Sequence, residues 1–451
     1  MSIALVILAA GKGTRMRSDL PKVLHPIAQA PMLAHAMRTG AALSPARTVV
    51  VAGHGFDAVQ AAALQVDPET TVVRQAEQLG TAHAVDQARA ALADFEGDVV
   101  VLFGDTPFLQ PDTLARMVAA RRGHDLVILG FEPADPARYG RLVMQGDSLE
   151  KIVEFKDATE EERAIGLCNS GLMACDAKAF FALLSKVGND NAQGEYYLTD
   201  VVELARSEAM TVTAITCDER ETLGINSRAD LAHAEAVFQD RARAALMDSG
   251  VTLVAPDTVF VAFDTQIERD ALIEPNVVFG PGVHVASGAT VRAFSHLEGC
   301  RIGSGATVGP YARLRPGTDI ATGARIGNFV EVKNAQIAQG AKVNHLSYIG
   351  DARVGAAANI GAGTITCNYD GVMKHRTDIG DGAFIGSNTM LVAPVKVGDG
   401  AMTGSGSVIN KDVPAAALGV ARARQDNKAG YAAKLFEMLK AKKAQRDKGS
   451  S

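Results

Sequence analysis

Between residues 302 and 332 an aliphatic side chain falls at every sixth position: Ile302, Val308, Leu314, Ile320, Ile326 and Val332. The series resumes at Ile379, Ile385, Leu391 and Val397. A helix repeats every 3.6 residues and an ordinary strand every two, so neither accounts for a period of six. A hexapeptide repeat predicts a parallel β-helix, in which each repeat gives one short strand and one inward aliphatic residue to a continuous core. The first half of the chain reads differently. Short aliphatic runs at 4–8, 48–51, 99–103, 126–129 and 212–215 alternate with helical stretches. That alternation predicts an α/β domain with a mainly parallel sheet.

Between the two patterns, Leu231, Ala234, Val237, Phe238 and Ala245 share one helical face, and no glycine or proline interrupts it. The expected division is an α/β domain over 1–226, a linker helix over 227–248 and a β-helix over 249–433. A lysine-rich helix fraying into a disordered tail is expected over 434–451. The β-helix ladder is irregular over 251–300, and inserts near 342–348 and 367–374 are expected to break it.

Composition narrows the picture modestly. At 451 residues the chain exceeds what one hydrophobic core supports. A net charge of −6 does not point to nucleic acid or to a bilayer as the main target. The apolar start, residues 3–10, is too short to span a bilayer, lacks a basic leader and reads as a buried first strand. Cys168, Cys175, Cys217, Cys300 and Cys367 have no metal-ligand or redox spacing. They predict free thiols in a reducing cytoplasm.

The first chemical constellation follows the first strand: Leu8-Ala9-Ala10-Gly11-Lys12-Gly13-Thr14-Arg15-Met16, then Pro21-Lys22. Glycines just past a parallel strand let backbone N–H groups approach phosphates. Met16 stands where a dinucleotide fingerprint needs its third glycine. Val6 stands where a Walker loop needs its first. A glycine loop alone is equally a tight turn, but two cations within one turn of chain add a triphosphate site as a reading. The pattern L-x-x-G-x-G-T-x-M-x4-P-K resembles the signature of the sugar-phosphate nucleotidyltransferases, which implies a Rossmann-like nucleotidyltransferase domain. By that resemblance Arg15 and Lys22 meet the phosphates, and Leu8, Ala9, Ala10 and Gly11 contact the uracil. Gln75, Gly80 and Thr81 resemble the base-recognition segment. Phe103-Gly104-Asp105 ends an aliphatic strand, and Asp105 with Asn226 resembles the magnesium pair. One carboxylate and one amide oxygen suit a hard cation that keeps some of its waters. Gly140, Glu154 and Asn169 resemble the sugar-contacting positions. Many relatives carry Tyr where this chain has Phe103, so a hydroxyl contact there is lost. Taken singly each residue is as readily a turn or surface position; order and spacing carry the resemblance.

The second constellation lies in the repeat domain. Its segments are Arg313-Leu314-Arg315, Asn328-Phe329-Val330-Glu331-Val332-Lys333, Asn344-His345-Leu346-Ser347-Tyr348 and Asn359-Ile360-Gly361-Ala362-Gly363 continuing to Gly371. Eighteen residues make one three-sided coil, which sets Arg315 beside Lys333 and Glu331 beside Ile349, on coils about 4.8 Å apart. Adjacent cations call for an anion, either a phosphate ligand or a carboxylate of the chain. These segments resemble the acetyltransferase half of the bifunctional N-acetylglucosamine-1-phosphate uridyltransferase and glucosamine-1-phosphate N-acetyltransferase family. The resemblance covers nearly the whole chain.

It implies synthesis of UDP-N-acetylglucosamine, which feeds peptidoglycan, lipopolysaccharide and lipid A precursors. Acetyl-CoA and UTP are the co-substrates and Mg2+ the metal. His345 is the expected general base. Arg315 and Lys333 would hold the sugar phosphate, with Tyr348 and Asn359 nearby. The Ala362 N–H would face the oxyanion. Asn368, Tyr369, Ser387, Ser405 and Arg422 would line the coenzyme A groove, and Lys374 is a candidate for a coenzyme phosphate. The resemblance also implies a left-handed β-helix, a cytoplasmic homotrimer and an acetyl site between prisms, with no nucleic-acid or membrane partner. Two other readings compete. One is a nucleotidyltransferase whose prism only assembles or regulates. The other is a zinc enzyme on a hexapeptide prism, for which His284, His296, His345 and His375 lack converging spacing.

Overall fold

All five aliphatic runs of the first half become strands of one sheet: Ile3–Ala9, Arg47–Ala52, Asp98–Phe103, Leu126–Phe131 and Val212–Cys217. The structure is a computed structural model, and residues 2–136, 139–191 and 193–448 are described. The chain forms two units, the first running to Ser249 with short returns at 260–265 and 279–281.

In the first unit the sheet order is Val212–Cys217, Leu126–Phe131, Cys168–Asp176, Asp98–Phe103, Ile3–Ala9, Arg47–Ala52, Thr71–Arg74. Neighbours run parallel except Cys168–Asp176, which is antiparallel to both of its neighbours. That strand reads Cys-Asn-Ser-Gly-Leu-Met-Ala-Cys-Asp. Its small and polar residues give no aliphatic run, which is why periodicity does not find it.

Alternate residues of the strands feed opposite faces. On one face Leu5, Ile7, Val50, Val100 and Leu102 pack with Leu33, Met37, Val59, Leu114 and Met117. On the other Val6, Val49, Val51, Val99 and Val101 pack with Phe180, Leu184, Val201 and Ala205. Each fully buried side chain of this size contributes about 1.5–3 kcal/mol. Because Leu8 pairs with Phe103 in parallel register, the loops after these two strands leave the sheet side by side. Ligands in open α/β sheets bind outside such carboxyl ends.

The expected linker helix spans Arg228–Asp248 and begins with a capping box between Ser227 and Asp230. It belongs to the first unit. Leu231, Ala234, Val237 and Phe238 pack with Ile27, Met32, Phe108 and Ile225. Ala245, expected on the same face, is exposed.

The second unit is a stack of short parallel strands. One face runs in order from Thr252–Leu253 through ten strands to Leu418–Gly419. Ile302, Val308, Leu314, Ile320, Ile326, Val332, Ile379, Ile385, Leu391 and Val397 are all 0–1% exposed. The hexapeptide period therefore marks the core. Two details differ from expectation. Residues 342–348 hold no insert, because Arg325 pairs with Lys342 and Lys342 with Asn359, two regular steps of seventeen. The insert at 367–374 is real: Asn359 pairs with Phe384, a step of twenty-five. Strand registers also set Glu331 beside Tyr348, not Ile349, since steps of seventeen and of eighteen residues both occur along the stack.

The helix Tyr431–Lys448 occupies most of the expected C-terminal segment, and residues 449–451 of that segment lie outside the described residues. No helix among the described residues is long and apolar enough to cross a membrane.

Candidate active sites

A cavity of about 280 Å³ opens at the carboxyl ends of the first unit's strands. Its walls include Leu8, Ala9, Ala10, Gly11, Lys22, Gln75, Gly80, Thr81, Phe103 and Asp105. Ten positions singled out in three separate stretches of sequence thus share one wall. Two glycines allow the approach. Gly13 has φ +58°, and a Cβ there would sit 2.6 Å from the Lys22 Cβ, so the loop closes directly over the lysine stem. Gly80 has φ +122°, and a Cβ there would meet the Tyr196 carbonyl oxygen at 2.4 Å. Met16, the residue that departs from the dinucleotide pattern, is 1% exposed; it anchors the loop in the core.

Beneath the loop, Lys22 Nζ donates to Asn226 Oδ1 at 2.9 Å and forms an ion pair with Asp105 Oδ2. Two backbone features bring Asn226 there. The Ile225 N–H donates to the Asp105 carbonyl at 3.2 Å. The Asn226 N–H donates to Asp230 Oδ2 at 3.0 Å, just before the helix begins. Asp105 and Asn226, 121 positions apart in sequence, therefore offer their oxygens to one cationic centre. The ammonium stands in for a cation, and the donor set fits a hard divalent ion.

Gln75 is buried, and its Nε2 donates to the Gly80 carbonyl at 3.2 Å and faces His83 Nδ1 at 3.1 Å. Arg15 is exposed on the short turn Thr14–Met16 and is not among the cavity walls. Gly140, Glu154 and Asn169 form a second group. The Asn169 N–H donates to the Gly140 carbonyl at 2.8 Å, and a Cβ on Gly140 would lie 3.6 Å from the Glu154 carboxyl carbon. The Phe103 ring packs over Gly171, two residues past Asn169, and so links this group to the cavity. Burial pushes the Glu154 pKa up, against a hydrogen bond from Thr199. Gly104 is buried beneath the cavity, its N–H donating to the Leu8 carbonyl at 2.9 Å. Gln78 and Glu195 also line the cavity; no motif singled them out, since neither lies in the glycine loop or at the end of an aliphatic strand.

In the second unit His345 is exposed, and its Nδ1 lies 2.8 Å from Asn328 Oδ1. An amide oxygen only accepts, so the facing ring nitrogen carries the hydrogen and Nε2 keeps its lone pair. Asn328 sits one coil from His345, paired with it in register. The spacing was available in the sequence, but a coil length that varies between seventeen and eighteen hides the pairing.

Arg315 is met by Glu331, Nη1 to Oε1 at 2.9 Å. A carboxylate of the chain thus answers part of the charge that a phosphate was expected to answer. Lys333 has cationic neighbours: Lys374 first, then burial and Arg315, push its pKa down. Lys374 is carried by the inserted hairpin. There Asp370 accepts N–H groups from Val372 and Met373 at 2.8 and 2.7 Å and faces His375 Nε2 at 2.7 Å. His375 holds the Asp370 carboxyl well below the ordinary range. Lys374, singled out for a coenzyme phosphate, thus neighbours Lys333.

Tyr348 pairs with Glu331 on the next coil, and Asn359 pairs with Lys342. The Asn388 N–H donates to the Ala362 carbonyl at 2.7 Å. Asn368 bonds Asp351, and Tyr369 donates to the Gly371 carbonyl at 2.5 Å. Ser387 and Ser405 follow Gly386 and Gly404 on neighbouring coils, and Arg422 donates to the Ser405 carbonyl at 2.9 Å. Those three share one exposed edge. The cavity beside His345, about 670 Å³, is walled by Arg292, Tyr311, Arg325, Asn328, Phe329 and Asn344 among others. Arg315, Lys333, Tyr348 and Asn359 do not line it.

Comparison with known proteins agrees with this two-part geometry. Residues 5–166 match the MobA-like NTP transferase domain, and residues 299–334 and 376–411 match the bacterial transferase hexapeptide (six repeats). The second match accords with a left-handed parallel β-helix. Among solved structures, UDP-glucose pyrophosphorylase complexed with UDP-glucose is 17% identical, with a TM-score of 0.45 over 53% of this chain and all of that one. The bifunctional protein GlmU of Ruegeria sp. (strain TM1040) is 71% identical over 449 residues, the full length of both chains. That of Ruegeria pomeroyi (strain ATCC 700808 / DSM 15171 / DSS-3) is 74% identical over 99% of this chain and all of its own. At such identity along both units, this chain belongs to the bifunctional GlmU family.

Proposed function

We propose that the two units carry the two steps of UDP-N-acetylglucosamine synthesis, each at the residues described above. The enzyme acetylates glucosamine-1-phosphate from acetyl-CoA, then transfers a uridylyl group from UTP to the product and releases pyrophosphate. The observation that carries the reading is the full-length relationship to bifunctional relatives, with motif residues from distant stretches meeting at one cavity.

In the acetyl step His345 Nε2 takes the proton as the sugar amine attacks the thioester carbon. Asn328 keeps the ring in the basic tautomer. The Ala362 N–H receives the developing oxyanion, and the thiolate of coenzyme A leaves. Arg315, Lys333 and Lys374 hold the sugar phosphate, with Tyr348 and Asn359 beside it. Asn368, Tyr369, Ser387, Ser405 and Arg422 contact the coenzyme. In the uridylyl step a phosphate oxygen of N-acetylglucosamine-1-phosphate attacks the α-phosphorus of UTP. Leu8, Ala9, Ala10, Gly11, Gln75, Gly80 and Thr81 position the nucleotide. Arg15 and Lys22 take up phosphate charge, and Gly140, Glu154 and Asn169 hold the sugar. Asp105 and Asn226 would hold Mg2+, which when bound neutralises charge on the phosphates.

We assign residues 1–226 to uridylyl transfer, 227–248 to the linker helix and 249–433 to acetyl transfer. The assembly is a homotrimer through the β-helix. Its support is an exposed aromatic ladder: Phe294, Tyr311 and Phe329 stack with ring centroids 4.9 and 5.2 Å apart and are about half exposed. Apolar rows of this kind mark protein interfaces. We assign a cytoplasmic location, supported by the proposed substrates UTP and acetyl-CoA.

The test is a split assay. Glucosamine-1-phosphate with acetyl-CoA should release free thiol, and N-acetylglucosamine-1-phosphate with UTP and Mg2+ should release pyrophosphate. Asp105→Ala should lose only the second signal. Pyrophosphate without thiol from the unaltered chain would reduce the prism to assembly or regulation.

A further inference from the structure

Lys22 is assigned above to the phosphates, yet its ammonium is engaged elsewhere. It contacts Asp105 Oδ2 and donates to Asn226 Oδ1 at 2.9 Å. The two groups read as metal ligands thus already share a cation, one that belongs to the chain. We propose that Lys22 is a built-in counter-cation of the Asp105–Asn226 pair, which a divalent metal and the ammonium occupy in competition until a nucleoside triphosphate draws the lysine to its phosphates. The inference rests on the metal reading given above.

The physical grounds are local. The Lys22 and Asp105 side chains are 11% and 19% exposed, so their attraction is weakly screened. A divalent ion at the same oxygens would face the ammonium at contact distance, and like charges so close repel strongly. Something must move. Lys22 is anchored near its backbone, where Gly13 closes over its Cβ and Cγ. Its outer methylenes carry the head group, and Lys22 itself lines the cavity together with Gly11. A compact ammonium on a flexible stem can turn from carboxylate to phosphate without leaving the site, which a planar guanidinium cannot do as freely. Linkage then requires that triphosphate raise metal affinity by the same factor as metal raises triphosphate affinity.

The experiment measures binding, not turnover. Free Mn2+ is followed by its paramagnetic resonance signal during titration of the full chain, with and without a non-hydrolysable UTP analogue. Lys22→Met should bind Mn2+ more tightly than the unaltered chain when nucleotide is omitted, by about tenfold or more, within the roughly 5- to 150-fold range of coupled sites. The analogue should tighten Mn2+ on the unaltered chain and do so much less on Lys22→Met. Lys22→Arg keeps a cation at the pair and should keep Mn2+ weak. A folding defect would weaken both variants alike. Equal or weaker Mn2+ binding by Lys22→Met without nucleotide overturns the competition. If adding Asp105→Ala leaves Mn2+ binding unchanged in every case, the metal reading itself falls and the inference with it.

Discussion

The two sites are built on opposite geometric terms. The proposed uridylyl site is a cavity inside one unit, formed where parallel strands end and their loops fold toward each other. The residues proposed for acetyl transfer lie along the outside of a prism, and the cavity beside His345 is not lined by the cations that would hold the substrate. A twisted α/β sheet creates a crevice at its own strand ends. A β-helix exposes flat faces and straight edges, and in the proposed trimer a neighbouring prism would supply a second wall. The inserted hairpin at Tyr369–Lys374 is the prism's own partial remedy: its isolated pairing lifts Lys374 off the ladder toward Lys333.

The comparison breaks most sharply at His345. His345→Ala should lower acetyl transfer by about 10²–10⁴-fold, the usual worth of a general base, with pyrophosphate release unchanged. Loss of both activities would make His345 a structural residue. The next largest effect tests whether the prism site needs a second copy. Phe329→Asp places a charge at one end of the aromatic ladder, stacked on Tyr311. Sedimentation should show smaller species, and acetyl transfer should fall tenfold or more while uridylyl transfer persists. A dissociated chain that still acetylates at full rate would end the two-prism account.

A smaller effect belongs to the first unit alone. Gly80→Val forces a Cβ into the Tyr196 carbonyl and a φ of +122° on a branched residue. It should raise the KM for UTP and cost on the order of 1–3 kcal/mol of that unit's stability, with acetyl transfer untouched. Unchanged KM would show that the cavity wall at Gly80 is not a nucleotide contact. The smallest effect is electrostatic. Burial first, then Glu203 and Asp157, pushes the Asp200 pKa up to about 6 from 3.8. The folded chain then binds more protons than the unfolded one between those values, so this group's penalty grows as pH rises through that window and is complete above it. Asp200→Asn should raise the melting temperature relative to the unaltered chain at pH 7.5 but not at pH 4. A gap of the same size at both would point to packing, not charge.

Much of this was readable along the chain because the signals are periodic or local. Ten aliphatic positions at a six-residue period reappear as ten buried core residues. The glycine loop and Asp105 follow aliphatic strands directly, and strand ends are where parallel sheets expose their loops. What periodicity could not read was any strand without an aliphatic run, such as Cys168–Asp176, and any contact set by coil length. A shift of one residue, from eighteen to seventeen, moved Tyr348 rather than Ile349 beside Glu331.

By itself the sequence determined the two architectures and the family, and it named the candidates for the chemistry, because hydrophobic period and motif order survive without knowledge of distance. Only tertiary structure decided partnerships between charges: Lys22 with Asp105 and Asn226, Arg315 with Glu331, Lys374 with Lys333, and His345 with Asn328. Coulomb and hydrogen-bond energies depend on separations of a few ångströms. Positions 22 and 105 acquire those separations only when the strands they follow are laid side by side, and position 226 only when the turn at Ile225 bonds back to Asp105.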